Sequence, residues 1–325
     1  MKCINKVILP LLIISILMMS GCSQKDNGYA MPFERNSNTS TISVSNSGSL
    51  YEYCEPFAKD LCVDESVYSK NVNLTSGYAA GLFDINNNTV IYGKNMYEVM
   101  TPASITKLLT ALTCLKYYDM DDKLTFTSAS EITEAGAQKI GFKEGDTITV
   151  EQALNILLLF SANDVAMMIA NNYEGGYDEF IRLMNEEAKS LGATHTNFVN
   201  PHGLTEDTHG STVYDLYLIL NELVKDERFT NIVSQSGYVT SYTKADGTIK
   251  TIELNTTNMY LNGTKETPEG ITIIGGKTGT TDAAGKCLIL YFKDSDGNPY
   301  ISCILRAEDH DILYEDMSTL IGAVK

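Results

Sequence analysis

Residues 101–115, Thr-Pro-Ala-Ser-Ile-Thr-Lys-Leu-Leu-Thr-Ala-Leu-Thr-Cys-Leu, carry the pattern of a helix with reactive side chains in its first turns. Thr101 suits an N-cap and Pro102 the first helical position. Ile105, Leu108, Leu109, Leu112 and Leu115 recur at helical spacing as an apolar stripe. Ser104 and Lys107, three residues apart, share one face. The positive end of a helix disfavours an ammonium and favours an alkoxide, and an apolar setting lowers a lysine further. A neutral Lys107 can then take the proton of Ser104.

Outward from this helix the pattern changes on both sides. Upstream, 78–84 and 89–94 read as two strands around Asn86-Asn87-Asn88. Downstream the chain is helical. Thr149 and Gln152 form a capping-box pattern ahead of Leu154, Leu157 and Leu158. A second helix follows Ser161, and a third runs from about 177 to 191 and ends at Gly192. After an irregular stretch, 197–210, Ser211 and Asp215 bracket the start of another helix. The last third returns to strand. Residues 271–274 lead into Lys277-Thr278-Gly279, 287–292 and 300–305 flank the turn-rich 294–299, and a helix over 312–324 closes the chain. Strands at both ends around a helical middle predict an α/β chain of the α+β type. The expected packing is one antiparallel sheet with the terminal helices on it and a helical lobe beside it, the site lying in the cleft between.

At 325 residues with 43% hydrophobic residues, the chain can bury a large core. Its formal charge of −17 argues against nucleic acid and against adhesion to anionic lipid by charge alone. The four histidines are scattered and no CxxC occurs, so no metal or cofactor is expected. Lys2 and Lys6 precede an apolar run from Val7 to Met19 that is short for a membrane span. It ends in Met19-Ser20-Gly21-Cys22, which resembles a bacterial lipoprotein signal, although leucine usually stands where Met19 does. That resemblance implies that Cys22 is lipidated; ordinary cleavage leaving Cys22 free is the alternative, and the protein is exported either way. Residues 1–22 are thus expected to be a signal segment, 23–50 a Ser/Asn/Thr-rich tether, and 51–325 the folded domain. Five cysteines follow Cys22. Cys54/Cys62 and Cys287/Cys303 are possible pairs, and Cys114 reads as a small core residue.

Two more polar motifs accompany Ser104 and Lys107. Ser161-Ala162-Asn163 follows Leu157-Leu158-Leu159-Phe160, a run that would hold a polar turn firmly. Ser161 can relay a proton and Asn163 can bind a substrate amide, although Ser161 with Asp164 would also serve as a plain cap. Lys277-Thr278-Gly279-Thr280-Thr281 puts a lysine at a strand end as a point charge for a carboxylate, with Thr278 and Thr280 adding hydroxyls and Gly279 allowing close approach of a ligand. The backbone N–H groups of Ser104 and Thr280 would form an oxyanion hole. Single motifs are cheap: Ser241-Tyr242-Thr243-Lys244 repeats the first and Ser69-Lys70-Asn71 the second. Both read as chance.

In order and spacing the three motifs resemble the Ser-x-x-Lys, Ser-x-Asn and Lys-Thr-Gly of serine-type D-Ala-D-Ala carboxypeptidases, the low-molecular-mass penicillin-binding proteins with a β-lactamase/transpeptidase-like fold. Met184-Asn185, Leu191-Gly192-Ala193, Asn200-Pro201-His202-Gly203-Leu204 and Ala283-Ala284-Gly285 also read like segments of that family. The resemblance covers about residue 52 to the end. It implies that Ser104 attacks the penultimate D-alanine of a peptidoglycan stem pentapeptide, that terminal D-alanine leaves, and that penicillins acylate Ser104. Catalysis would fall to Ser104, Lys107 and Ser161, and substrate binding to Asn163, Lys277, Thr278 and Thr280; His202 is left out of the site. Many relatives carry a further C-terminal β-domain and an anchor helix. Here the lipid on Cys22 is expected to hold the enzyme to the outer face of the bacterial cytoplasmic membrane. A class A β-lactamase would need a glutamate followed four residues on by asparagine soon after Ser161, and only Glu227/Asn231 fits, too far along. A DD-endopeptidase shares every motif. A solute-binding lipoprotein would not need the intact set, and a penicillin sensor would also be expected to bring a signalling partner or a membrane-spanning region.

Overall fold

The computed structural model describes residues 72–324. The expected signal segment, the tether, Cys22 and the Cys54/Cys62 pair lie outside them.

The described chain opens on the hairpin β1 (Ala79–Asp84) and β2 (Thr89–Lys94). A 3₁₀ turn over Ala103–Thr106 runs straight into α1 (Lys107–Tyr117). Short strands β3 (Lys123–Thr125) and β4 (Thr147–Thr149) follow, then α2 (Val150–Asn155), whose Thr149/Gln152 capping box forms as the sequence indicates. A π-helical turn, Ile156–Phe160, leads to α3 (Asn163–Asn172), α4 (Gly176–Ser190), α5 (Val213–Leu223) and α6 (Glu227–Val233). The last part holds β5 (Gly237–Thr243), β6 (Ile249–Asn255), β7 (Thr272–Thr281), β8 (Gly285–Lys293), β9 (Pro299–Ala307) and α7 (His310–Ile321).

Strands from both ends of the described chain do share one antiparallel sheet, in the order β2-β1-β9-β8-β7. A second sheet, β3-β4-β5-β6, was not expected. The hairpin in it turns at Asp246-Gly247, where Gly247 has φ +81°, so the duplicate motif Ser241–Lys244 lies on a strand and turn away from any helix start. Most side chains of β5 and β6 are exposed or half-buried, which hides their strand period in polar sequence.

The large sheet is covered on both faces. Leu288, Leu290 and Ile304 point to α7, against Leu313, Met317 and Leu320. Cys287, Ile289, Ile301 and Cys303 point to the other face with Phe83, Val213 and Tyr217, as the two-residue period of a strand requires. Phe83 stacks on Tyr217 at 4.2 Å between ring centres. Each of these fully buried aliphatic or aromatic side chains contributes roughly 1.5–3 kcal/mol of transfer free energy. α1 runs through the interior: Lys107, Leu108, Leu109, Thr110 and Ala111 are all buried, so the helix is covered well beyond its apolar stripe.

Cys287 and Cys303 are free thiols, which overturns that possible pairing. Cys303 faces Ile289 and not Cys287, and a bulge shifts the register beside Cys287. Diagonal neighbours in a sheet stand about 7–8 Å apart, beyond disulfide reach. Burial pushes the Cys287 thiol up to about 12. Cys114 is buried in the core, as read.

Candidate active site

Ser104 lies in the 3₁₀ turn and not in the α-helix proper. Thr101 does not cap it; the residue before the turn is Pro102, and no side chain bonds there. Ala103 takes φ +49°, a left-handed conformation that costs about 1–2 kcal/mol for a non-glycine residue. The turn is gripped from two sides where only glycine fits. A Cβ on Gly203 would overlap the Ala103 carbonyl. A Cβ on Gly279 would stand 2.7 Å from Pro102 O and 3.1 Å from Ser104 N. Gly279 therefore admits the protein's own Ser104 turn, where the sequence suggested a ligand.

Lys107 opens α1 and is fully buried. Its Nζ lies 2.8 Å from Ser104 Oγ, 2.8 Å from Asn163 Oδ1 and 2.7 Å from the His202 carbonyl. Burial drives this amine well below the ordinary lysine range, and the Lys277 ammonium drives it further. A neutral amine has two N–H donors and one lone pair. The two carbonyl oxygens can only accept, so they take the N–H groups, and the lone pair is left for the Ser104 hydroxyl. The site thus holds a serine hydroxyl against a neutral base without a histidine.

The helical lobe supplies the next groups. The π turn closes with Ser161 N–H on Ile156 O at 3.1 Å, and Ser161 takes φ +68°. Its hydroxyl accepts from Lys277 Nζ at 2.9 Å. Asp164 does not cap with Ser161; it accepts from the N–H groups of Ile140 and Gly141, fixing the 134–141 loop that forms one wall of the cleft. Asn163 N–H donates to Gln138 O at 2.8 Å. Lys277 stands sixth in the ten-residue β7, in mid-strand and not at its end. It also donates to Thr278 O at 3.0 Å, and burial lowers it to about 7.

β7 is the edge strand of the large sheet, so one side of its backbone has no strand partner there. That edge abuts the Ser104 turn at Gly279, which brings Thr280 and the backbone of Ser104 to the same cleft. The cleft has a volume of about 890 Å³, and Ser104, Ser161, Asn163, Thr278 and Thr280 all line it. Glu227 lies instead in a separate groove with Lys116 and Glu187, away from Ser104. No helix among the described residues is long and apolar enough to cross a membrane, and none of their His, Cys, Asp and Glu side chains gather into a metal-binding group.

Three contributors were not legible in the sequence. His202 acts through its backbone carbonyl, while its imidazole Nδ1 accepts from Leu204 N–H at 3.1 Å; burial first, then Lys107, holds that ring neutral, with a pKa of about 3. His209 accepts from Val199 N–H at Nδ1, which leaves Nε2–H to donate to Thr106 Oγ1 at 2.8 Å. It ties the 198–203 loop to the Ser104 turn. Thr257 meets Thr278 at 2.6 Å. The segment Asn200–Leu204 carried a signal only as a family-like string.

A family model described as D-alanyl-D-alanine carboxypeptidase, peptidase S11, matches residues 67–309. The chain is 33% identical over 215 residues to the D-alanyl-D-alanine carboxypeptidase DacF of Bacillus subtilis, covering 65% of this chain and 52% of that protein. It is 32% identical over 214 residues to the D-alanyl-D-alanine endopeptidase of Escherichia coli, covering 65% and 66%. The chain thus spans about half to two thirds of the length of these curated relatives. Among solved structures, the Streptomyces K15 DD-transpeptidase superposes with a TM-score of 0.72 at 25% identity, over 78% of this chain and 98% of that one.

Proposed function

The chain belongs to the peptidase S11 family of D-alanyl-D-alanine carboxypeptidases, and on that premise we propose that it removes the terminal D-alanine from peptidoglycan stem pentapeptides through an acyl-enzyme on Ser104. The observation that carries this reading is the 2.8 Å approach of the fully buried Lys107 Nζ to Ser104 Oγ.

In this reading Ser104 Oγ attacks the carbonyl carbon of the penultimate D-alanine while its proton passes to Lys107 Nζ. The developing oxyanion accepts from the backbone N–H groups of Ser104 and Thr280, each such donor supplying roughly 2.7–4 kcal/mol. Ser161, hydrogen-bonded to Lys277, passes its proton to the leaving nitrogen and regains one from the Lys107 ammonium, so D-alanine departs with the proton balance closed and Lys107 is neutral again. Water then gives a proton to Lys107 and attacks the ester carbonyl, and Ser104 Oγ regains its proton as the acid leaves. Asn163 holds the substrate amide; Lys277, Thr278 and Thr280 hold its far side. No cofactor is needed. Penicillins would acylate the same oxygen. Intact-mass measurement after incubation with a penicillin tests this: the adduct should map to Ser104 and be missing in Ser104→Ala.

A second reading uses the same site. Two relatives, from Escherichia coli and Pseudomonas aeruginosa, carry the name D-alanyl-D-alanine endopeptidase at 32% identity, so cleavage of peptide cross-links is proposed as the alternative. The Met19–Cys22 sequence supports attachment through lipid on Cys22, outside the cytoplasmic membrane. Cys22→Ser should move the protein out of the membrane fraction.

A further inference from the structure

Thr257 and Thr278 bring their hydroxyl oxygens to 2.6 Å from one another, and both residues line the cleft with Ser104 and Ser161. Thr278 belongs to β7, and Thr257 to the segment that follows β6. Each hydroxyl carries one proton, and the bond between them uses one of the two. Neither hydroxyl has a second partner among the described residues. One O–H is therefore left for whatever occupies the cleft.

Thr257 is held in this position from behind. Its N–H donates to Leu159 O at 3.0 Å, within the π turn that ends at Ser161. It is thus tied to the turn of Ser161 and to the strand of Lys277 at once. Lys277 Nζ bonds the Thr278 carbonyl at 3.0 Å, so a lysine amine lies against the backbone of the residue that carries one of the two hydroxyls. A free hydroxyl donor next to an amine suits an anion. The rest of the cleft does not: Glu134 and Asp282 line it, no arginine or lysine is among its lining residues, and burial favours the neutral form of His310 there. A carboxypeptidase substrate brings one anion that must be recognised, its free C-terminal carboxylate.

We propose that Thr257 is a substrate-binding residue whose hydroxyl, with that of Thr278, seats the C-terminal carboxylate of the substrate. The inference rests on the carboxypeptidase reading. It is tested with Thr257→Val and Thr257→Ser in the full chain. D-Alanine or D-alaninamide release is measured from a D-Ala-D-Ala peptide and from the same peptide ending in a carboxamide. In parallel, acylation of Ser104 is measured with a penicillin and with its methyl ester. Thr257→Val should raise KM for the carboxylate peptide about tenfold or more with kcat little changed, and should slow the penicillin but not its ester. Thr257→Ser should keep the carboxylate preference. If Thr257→Val keeps the preference, or loses rate equally on charged and uncharged partners, Thr257 only packs and the proposal falls. A parent protein that releases no D-alanine sinks the carboxypeptidase reading instead, and the penicillin and ester pair still decides the role of Thr257.

Discussion

Lys107 Nζ stands 2.8 Å from Ser104 Oγ, and its two other contacts are oxygens that can only accept, Asn163 Oδ1 and the His202 carbonyl. That asymmetry aims the lone pair of a neutral amine at the serine. Lys107→Ala should therefore slow acylation of Ser104 by a penicillin about 10²–10⁴-fold. Lys107→Arg should fail as well, because guanidinium stays charged. Stopped-flow acylation rates check this; a loss under tenfold in Lys107→Ala would assign the base elsewhere.

Gly279 is the close-packed contact between β7 and the Ser104 turn. Gly279→Ala puts a methyl 2.7 Å from Pro102 O and 3.1 Å from Ser104 N, so the turn or the strand must shift. A displacement on the order of 1 Å at a reacting group costs about 10²-fold in rate. The variant should lose about that much acylation rate while keeping the parent's circular dichroism. Parental rates would mean that the turn moves freely.

Burial holds Lys277 at about 7, against an ordinary 10.5. Between those values the unfolded chain binds a proton that the folded lysine lacks, so this residue makes stability rise with pH across that window. In Lys277→Met that contribution disappears. The melting temperature should rise less from pH 7 to pH 9 in the variant than in the parent. Equal slopes would mean that Lys277 is not depressed.

Asp316 on α7 fastens the start of the described chain. Its carboxylate accepts from the N–H groups of Thr75 at 2.6 Å and of Ser76 and Gly77 at 2.9 Å. Asp316→Ala leaves these donors without their partner and should destabilise the fold by about 2–4 kcal/mol. Urea unfolding measures it, and a change below about 1 kcal/mol would show that the segment is held by other contacts.

Local chemistry decides what was legible in the sequence. The β1–β2 hairpin, the Thr149/Gln152 box, the α4 helix with Gly192 behind it and the β8–β9 hairpin follow from residue period and turn residues, and all appear where expected. The 3₁₀ geometry at Ser104 was not legible, because Thr101-Pro102 reads as an ordinary helix start. It is imposed by Gly203 and Gly279, distant in sequence. The second sheet was missed because β3 and β4 have three residues each and β5 and β6 are mostly exposed. Ser104, Lys107, Ser161, Asn163 and Lys277 could be named because motif residues carry their chemistry in the side chain. His202 contributes a carbonyl, which any residue possesses, and Thr257 acts through a pairing that only the fold creates.

We propose that Ser104, activated by Lys107, cleaves a D-alanyl-D-alanine bond. The most direct measurement is D-alanine release from a stem pentapeptide by the parent chain and by Ser104→Ala. Release by the parent and none above the uncatalysed background in the variant is the expected result. Release that survives in Ser104→Ala, or a parent that binds penicillin at Ser104 yet frees no D-alanine, would contradict it.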